Sequence, residues 1–170
     1  MLHGMIYAKQ AKDLATDPGN DFADEVHSYF GSGTQLQEMY ITPALLTKAN
    51  WDTLAEAARW SRAHSETLKD THWIGGDPDK LEVYGWAAWS PKAGIVTLRN
   101  PSTKVQHYSL NLEHVFELRS PAAIAYKVHS PWSDAKTWKA DASQTIQTGK
   151  PLDIALAPFE VLTLEADPLQ

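Results

Sequence analysis

VYGWAAWSPKAGIVTLR, residues 83–99, is the stretch on which the fold turns. Two apolar runs, Val83–Ser90 and Gly94–Arg99, flank Ser90-Pro91-Lys92-Ala93-Gly94, whose composition is that of a hairpin connection. Asn100-Pro101-Ser102 supplies another turn. Further on, Val105–Leu112, Ala123–His129, Leu152–Ala157 and Phe159–Glu165 are short apolar runs, each bounded by turn residues. Val161, Leu162 and Leu164 make the last of them strongly apolar. A series of short strands without intervening helices predicts an antiparallel sandwich.

Upstream the pattern changes. Asn20 or Asp21 caps a predicted helix over Asp21–Phe30, with Phe22, Val26, Tyr29 and Phe30 on one side and the Asp17-Pro18-Gly19 turn before it. Phe30-Gly31-Ser32-Gly33 closes it, and the alternation in Leu36–Ile41 suits a short strand. Thr42-Pro43 opens a brief turn through Leu46. A long helix is expected over Trp51–Leu68, capped by Asn50, with Trp51, Leu54, Ala58 and Arg62 tracing a face. The predicted class is therefore α+β, with a helical segment over residues 1–78 and an antiparallel β-sandwich over residues 79–170.

Composition bounds the function. The 170 residues carry 15 basic and 21 acidic side chains, a formal charge of −6, which disfavours unspecific nucleic-acid binding. Most of that charge lies in residues 1–78, with 6 basic and 11 acidic side chains, while eight of the ten prolines fall from Pro78 onward, where strands are expected. There is no cysteine, so disulfides, thiolate zinc sites and cysteine nucleophiles are excluded. No apolar run is long enough to cross a bilayer. The start, MLHGMIYAKQAKDLATD, lacks the basic, apolar and small-residue segments of a signal peptide and begins abruptly in apolar sequence, so the chain is expected to be the tail of a longer protein.

Few residues carry a chemical signal. Asp70-Thr71-His72-Trp73-Ile74-Gly75-Gly76-Asp77-Pro78-Asp79 sets a histidine among carboxylates, but the spacing fits neither a helix–loop–helix calcium site nor a paired-histidine zinc motif. It reads as an interdomain linker, with no metal and no cofactor expected. Glu38, with Gln35 near it, is a lone carboxylate, whereas glycoside hydrolysis usually needs two about 5–10 Å apart. A structural role is expected for it, and no catalytic residue is assigned. Gly31-Ser32-Gly33-Thr34 lacks the lysine of a phosphate loop. Among the seven tryptophans, Trp86 and Trp89 differ in strand parity and should face opposite sides, while Trp132 and Trp138 lie in loop-like sequence and are the indoles expected to be exposed for stacking on sugar.

The runs SYFGSGTQLQEMYITPALLTKANWDTLAEAARWSRAHSETLKDTHWIGGDP, YGWAAWSPKAGIVTLRNPS and LAPFEVLTLEA together resemble the C-terminal end of bacterial glycoside hydrolases of the α-galactosidase clan. Those proteins have a (β/α)₈ barrel followed by an antiparallel sandwich. The resemblance implies that Leu36–Ile41 is the last barrel strand, Trp51–Leu68 the last barrel helix, and Asp70–Pro78 the connection to a sandwich over Val83–Glu165. Residues around Leu2-His3-Gly4 would end the preceding strand, giving His3 and Thr42 a claim to line a sugar pocket. The first barrel strands, which carry the family's catalytic acids, have no counterpart here. The partners implied are carbohydrate or the remainder of the hydrolase, with self-association through residues 1–70 as a homo-oligomer when the chain stands alone. A carbohydrate-binding module is the alternative reading, and a complete small glycosidase a third.

Overall fold

A computed structural model describes residues 2–5, 19–33, 36–119, 125–139 and 142–169, and for Leu2–Met5 the backbone only. The expectations for Gln35, Asp17-Pro18, Thr34, Ala123 and Ile124 lie outside the described residues.

Strand β1 (Leu2–Met5) pairs in parallel with β2 (Gln37–Tyr40), and α1 (Asp21–Gly31) lies between them in sequence. Parallel neighbours need such a crossover, so this is a β–α–β unit. Helices α2 (Lys48–Ala63) and α3 (Ser65–Leu68) follow. Among the described residues nine further elements follow, β3 (Thr71–Gly75), β4 (Tyr84–Ser90), β5 (Ala93–Arg99), β6 (Gln106–Leu110), α4 (Leu112–Val115), β7 (Ala125–His129), β8 (Gln144–Gln147), β9 (Leu152–Leu156) and β10 (Val161–Leu169), besides 3-10 turns over Pro43–Leu45 and Pro78–Lys80. Six strands form an antiparallel sheet in the order β3-β4-β5-β10-β7-β8, and β6 and β9 form a second, antiparallel pair.

The six-stranded sheet is the middle layer. Val96 and Leu98 of β5, Leu162 and Leu164 of β10 and Tyr126 and Val128 of β7 turn toward β6, β9 and α4, where they join Leu110, Leu112 and Leu156 in the sandwich core. On the other face, Ala88 and Ile95 meet Phe22, Val26, Tyr29, Phe30, Leu54, Ala57 and Trp60 of the helices. A central strand covered on both sides is buried at every position, so β10 begins as an unbroken buried run, Val161–Leu164, in which the one polar side chain, Thr163, shares a hydrogen bond with Thr97. Gly31 lets α1 approach closely, because a Cβ there would stand 2.2 Å from Thr97 Oγ1. Asn100 and Glu160, both fully buried, lock the far loops. The Asn100 amide donates to the carbonyls of Lys104, Leu156 and Ala157, and the Glu160 carboxylate accepts from the backbone of Thr137 and Ala157 and from the Thr137 hydroxyl.

Several local expectations are corrected. The linker read at Asp70–Asp79 contains the edge strand β3, because its apolar Ile74 is drawn into the sandwich core. The long helix begins earlier, at Lys48, since Thr47 is the cap. Its side chain accepts from the Asn50 backbone while the Asn50 side chain reaches back, a capping box with Asn50 inside the helix. The buried face is Leu54, Ala57, Trp60 and Ser61, leaving Trp51 exposed, and the helix breaks at His64. Helix α1 starts at Asp21 with Asn20 in the left-handed region. Asn20 does not cap with its side chain but donates to Asp134 at 2.7 Å. Leu112, read as the end of a strand, opens α4.

Candidate functional site

In the parallel pair His3 stands opposite Glu38, and both strands run toward the same end, marked by Met5 and Tyr40. Thr42 follows β2 at that end, half-buried. Four residues of extended chain separate Glu38 from Thr42, so His3 and Thr42 are not brought together but lie about 13 Å apart along the strand direction. Gln37 and Met39 turn to the helices. Gln37 donates to Ser61 of α2, and Met39 packs on the helical core. Glu38 and Tyr40 therefore face the opposite side, where the Tyr40 hydroxyl donates to the Glu38 carboxylate at 3.0 Å. The Glu38 carbonyl in turn accepts from Tyr29 of α1 at 2.8 Å, so the strand is tied to its helix from behind. Strand parity, rather than any motif, is the signal that groups Glu38 with Tyr40.

The exposure expected of Trp132 and Trp138 is not found: they are 4% and 7% exposed. Trp132 lies in the seam between helices and sheet, stacked on His27 with ring centroids 4.2 Å apart and against Trp60 at 5.1 Å. Among the described residues its indole N–H finds no partner. Trp138 belongs to the sandwich core, with its N–H donating to the Ala142 carbonyl. Loop-like sequence misled here because a loop crossing between two layers is covered from both sides.

The same seam gathers charged groups. Glu165 of β10 accepts from the Trp60 indole and lies 3.4 Å from His64 and 3.3 Å from His129. Burial holds His27 well below the usual histidine range, at about 4, against the pull of Asp134. Burial also raises Asp24 to about 6, although Lys136 at 2.6 Å opposes the shift. These groups join helix layer to sheet, and their partners are accounted for by that joint.

The indoles that do reach solvent are elsewhere. Trp73, 49% exposed, stacks on Tyr84 at 4.9 Å, with Trp86 edge-on to both, on the face of the sheet that also carries the helices. Trp86 and Trp89 do face opposite sides: Trp89 donates its N–H to Tyr126 of the sandwich core. In the acidic run, Asp77 caps the 3-10 turn by accepting from the Asp79 backbone, and His72 bonds the Val115 carbonyl at 2.9 Å. Among the described residues no group of three or more histidine and carboxylate side chains is placed to hold a metal ion.

No protein-family model and no curated protein sequence matches the chain. Solved structures do. The α-galactosidase I of Mortierella vinacea superposes with a TM-score of 0.60 at 9% identity, over 95% of this chain and 38% of its own. A GH27 β-L-arabinopyranosidase from Geobacillus stearothermophilus gives 0.57 at 13% identity, over 87% and 31%. An α-amylase from Geobacillus thermoleovorans gives 0.53 at 10% identity, over 85% and 33%. At such identities the likeness is one of fold, and the chain spans about a third of each of these proteins. In fold, the chain corresponds to one part of a glycoside hydrolase of the α-galactosidase and α-amylase kind.

Proposed function

We propose that the chain is the C-terminal, non-catalytic portion of a carbohydrate-active glycoside hydrolase, with its β-sandwich supporting the catalytic barrel. One observation carries this reading: a parallel β–α–β unit, the repeat from which barrels are built, is fused through a shared apolar core to an antiparallel sandwich. Parallel sheets are stable when both faces are covered and their neighbours complete. Among the described residues β1 and β2 pair only with each other, so each has an open edge. In the assembled barrel Thr42, just past the C-terminal end of β2, borders the sugar pocket, while Glu38 and Tyr40 lie deeper on the interior wall. The reacting carboxylates then come from preceding strands.

An antibody raised against this chain tests the proposal in the cells that make it. It should detect either a polypeptide much larger than 18.9 kDa or an 18.9-kDa chain that co-purifies with a second polypeptide carrying glycosidase activity. An 18.9-kDa chain that hydrolyses an aryl glycoside by itself would overturn it. Purified alone, the chain should self-associate through residues 1–70. Sedimentation showing a strict monomer across micromolar concentrations would contradict that part. A binding module working through Trp132 and Trp138 draws no support from their burial.

A further inference from the structure

The outer edge of β3 borders an open cleft of about 640 Å³, whose opposite wall is α4 and the residues around it. We infer that this cleft, on the sandwich and apart from the barrel-like unit, is a binding site for a neutral sugar.

The wall at β3 offers backbone. Gly76 N–H donates to the Val83 carbonyl, so Gly76 and Val83 are a bonded pair of the antiparallel ladder. Alternation along the ladder then points the N–H and C=O of Trp73 outward, while its indole lies with Tyr84 on the far face. Trp73 therefore meets the cleft as a backbone donor and acceptor. His72 is fixed beside it. Its Nε2 faces the Val115 carbonyl, which can only accept, so Nε2 carries the proton and Nδ1 of the neutral ring remains an acceptor. Across the cleft, the Asn111 side-chain oxygen Oδ1 accepts from the Glu113 backbone N–H at the start of α4, and the NH₂ of the same side chain can donate to a bound group. Tyr108, half-buried against the sandwich core, adds an aromatic ring and a hydroxyl.

Charge selects the ligand. Glu113 and Glu117 line the cleft, and among the described residues no lysine or arginine does. Two carboxylates without a cation favour hydroxyl donors and repel anions, and among the described residues no cluster suited to a metal ion accompanies them. A polyol with an apolar ring face satisfies such a lining, with hydroxyls on the carboxylates and amide and the ring against Tyr108. That the polyol is a sugar rests on the hydrolase reading above.

Titrating the isotope-labelled 170-residue chain with galactose, maltose and glucuronate while following backbone amides by NMR tests the site. Galactose or maltose should shift the amides of Trp73, Tyr108 and Asn111–Leu118, and glucuronate should not. Glu117→Gln, at an exposed position, should weaken binding about tenfold with the thermal midpoint unchanged. Tyr108→Phe gives a second, fold-neutral check on the hydroxyl. No shift with either neutral sugar, equal shifts with glucuronate, or shifts confined to Tyr84 and Trp86 would each overturn the inference. None of these outcomes bears on the size of the native polypeptide, which tests the hydrolase reading separately.

Discussion

In the six-stranded sheet, β5 and β10 have a strand on either side and apolar layers above and below, whereas among the described residues β1 and β2 have one neighbour each, and Tyr40 of β2 and the adjoining Leu36 stand 50% and 61% exposed. Both regions are built from short strands, yet within the described residues only the central strands β5 and β10 have both edges paired and a core on each face. The difference teaches where each gets its stability. The sheet holds itself, through the sandwich core on one face. The β–α–β unit is held by α1 and α2, whose apolar residues are buried against the sheet, so it borrows the sheet as a platform.

Substitutions can break this comparison, and the largest effect is expected inside the sandwich. Glu160→Ala removes a fully buried carboxylate that accepts three hydrogen bonds and should cost about 4 kcal/mol, unfolding the whole chain at lower urea. The seam comes next. Trp132→Ala should cost about 3 kcal/mol and fall mainly on the helices, so hydrogen exchange in α1 and α2 should quicken while β5 and β10 stay protected. If both regions lost protection together, they would be one cooperative unit and the contrast would fail.

Acidity sharpens the same comparison. His27 has a folded pKa of about 4, below its ordinary 6.5, so stability is lost as the pH falls through that window, where the unfolded chain takes up a proton that the folded chain refuses. Asp24 has a folded pKa of about 6, above its ordinary 3.8, so its contribution is full below 3.8 and is lost as the pH rises through 6. The two slopes oppose each other between about pH 4 and 6. Asp24→Asn should expose the His27 slope, a loss on the order of 2 kcal/mol on acidification measured by denaturation at several pH values, and His27→Gln should reverse it. The smallest effect belongs to the surface. Lys48→Ala breaks an exposed pair with Asp52 on α2 and should change stability by less than ~0.5 kcal/mol, visible only as a slight shift in the thermal midpoint.

The hairpin of Val83–Arg99, helix α1 and the strand around Met39 are legible in the sequence because local chemistry dictates them: Pro91-Lys92 turns the chain, with Gly94 already inside β5, and the three- and four-residue spacing of Phe22, Val26 and Phe30 selects a helix. The order of the strands and the burial of Trp132 and Trp138 are not legible, since they depend on which layer covers a loop. Strand β8, with only Ile146 apolar and buried, carries too weak a pattern to be read without its partner β7.

The amino-acid sequence alone determined the class of the protein, a helical segment followed by antiparallel strands, because the periods of apolar residues and the positions of proline and glycine act over a few neighbours. Tertiary structure decided that β1 and β2 pair in parallel with His3 opposite Glu38, that β3 joins the sandwich sheet, and that a cleft with two carboxylates opens at its edge. Those features join residues tens of positions apart, and only the packing of one layer on another fixes which of them meet.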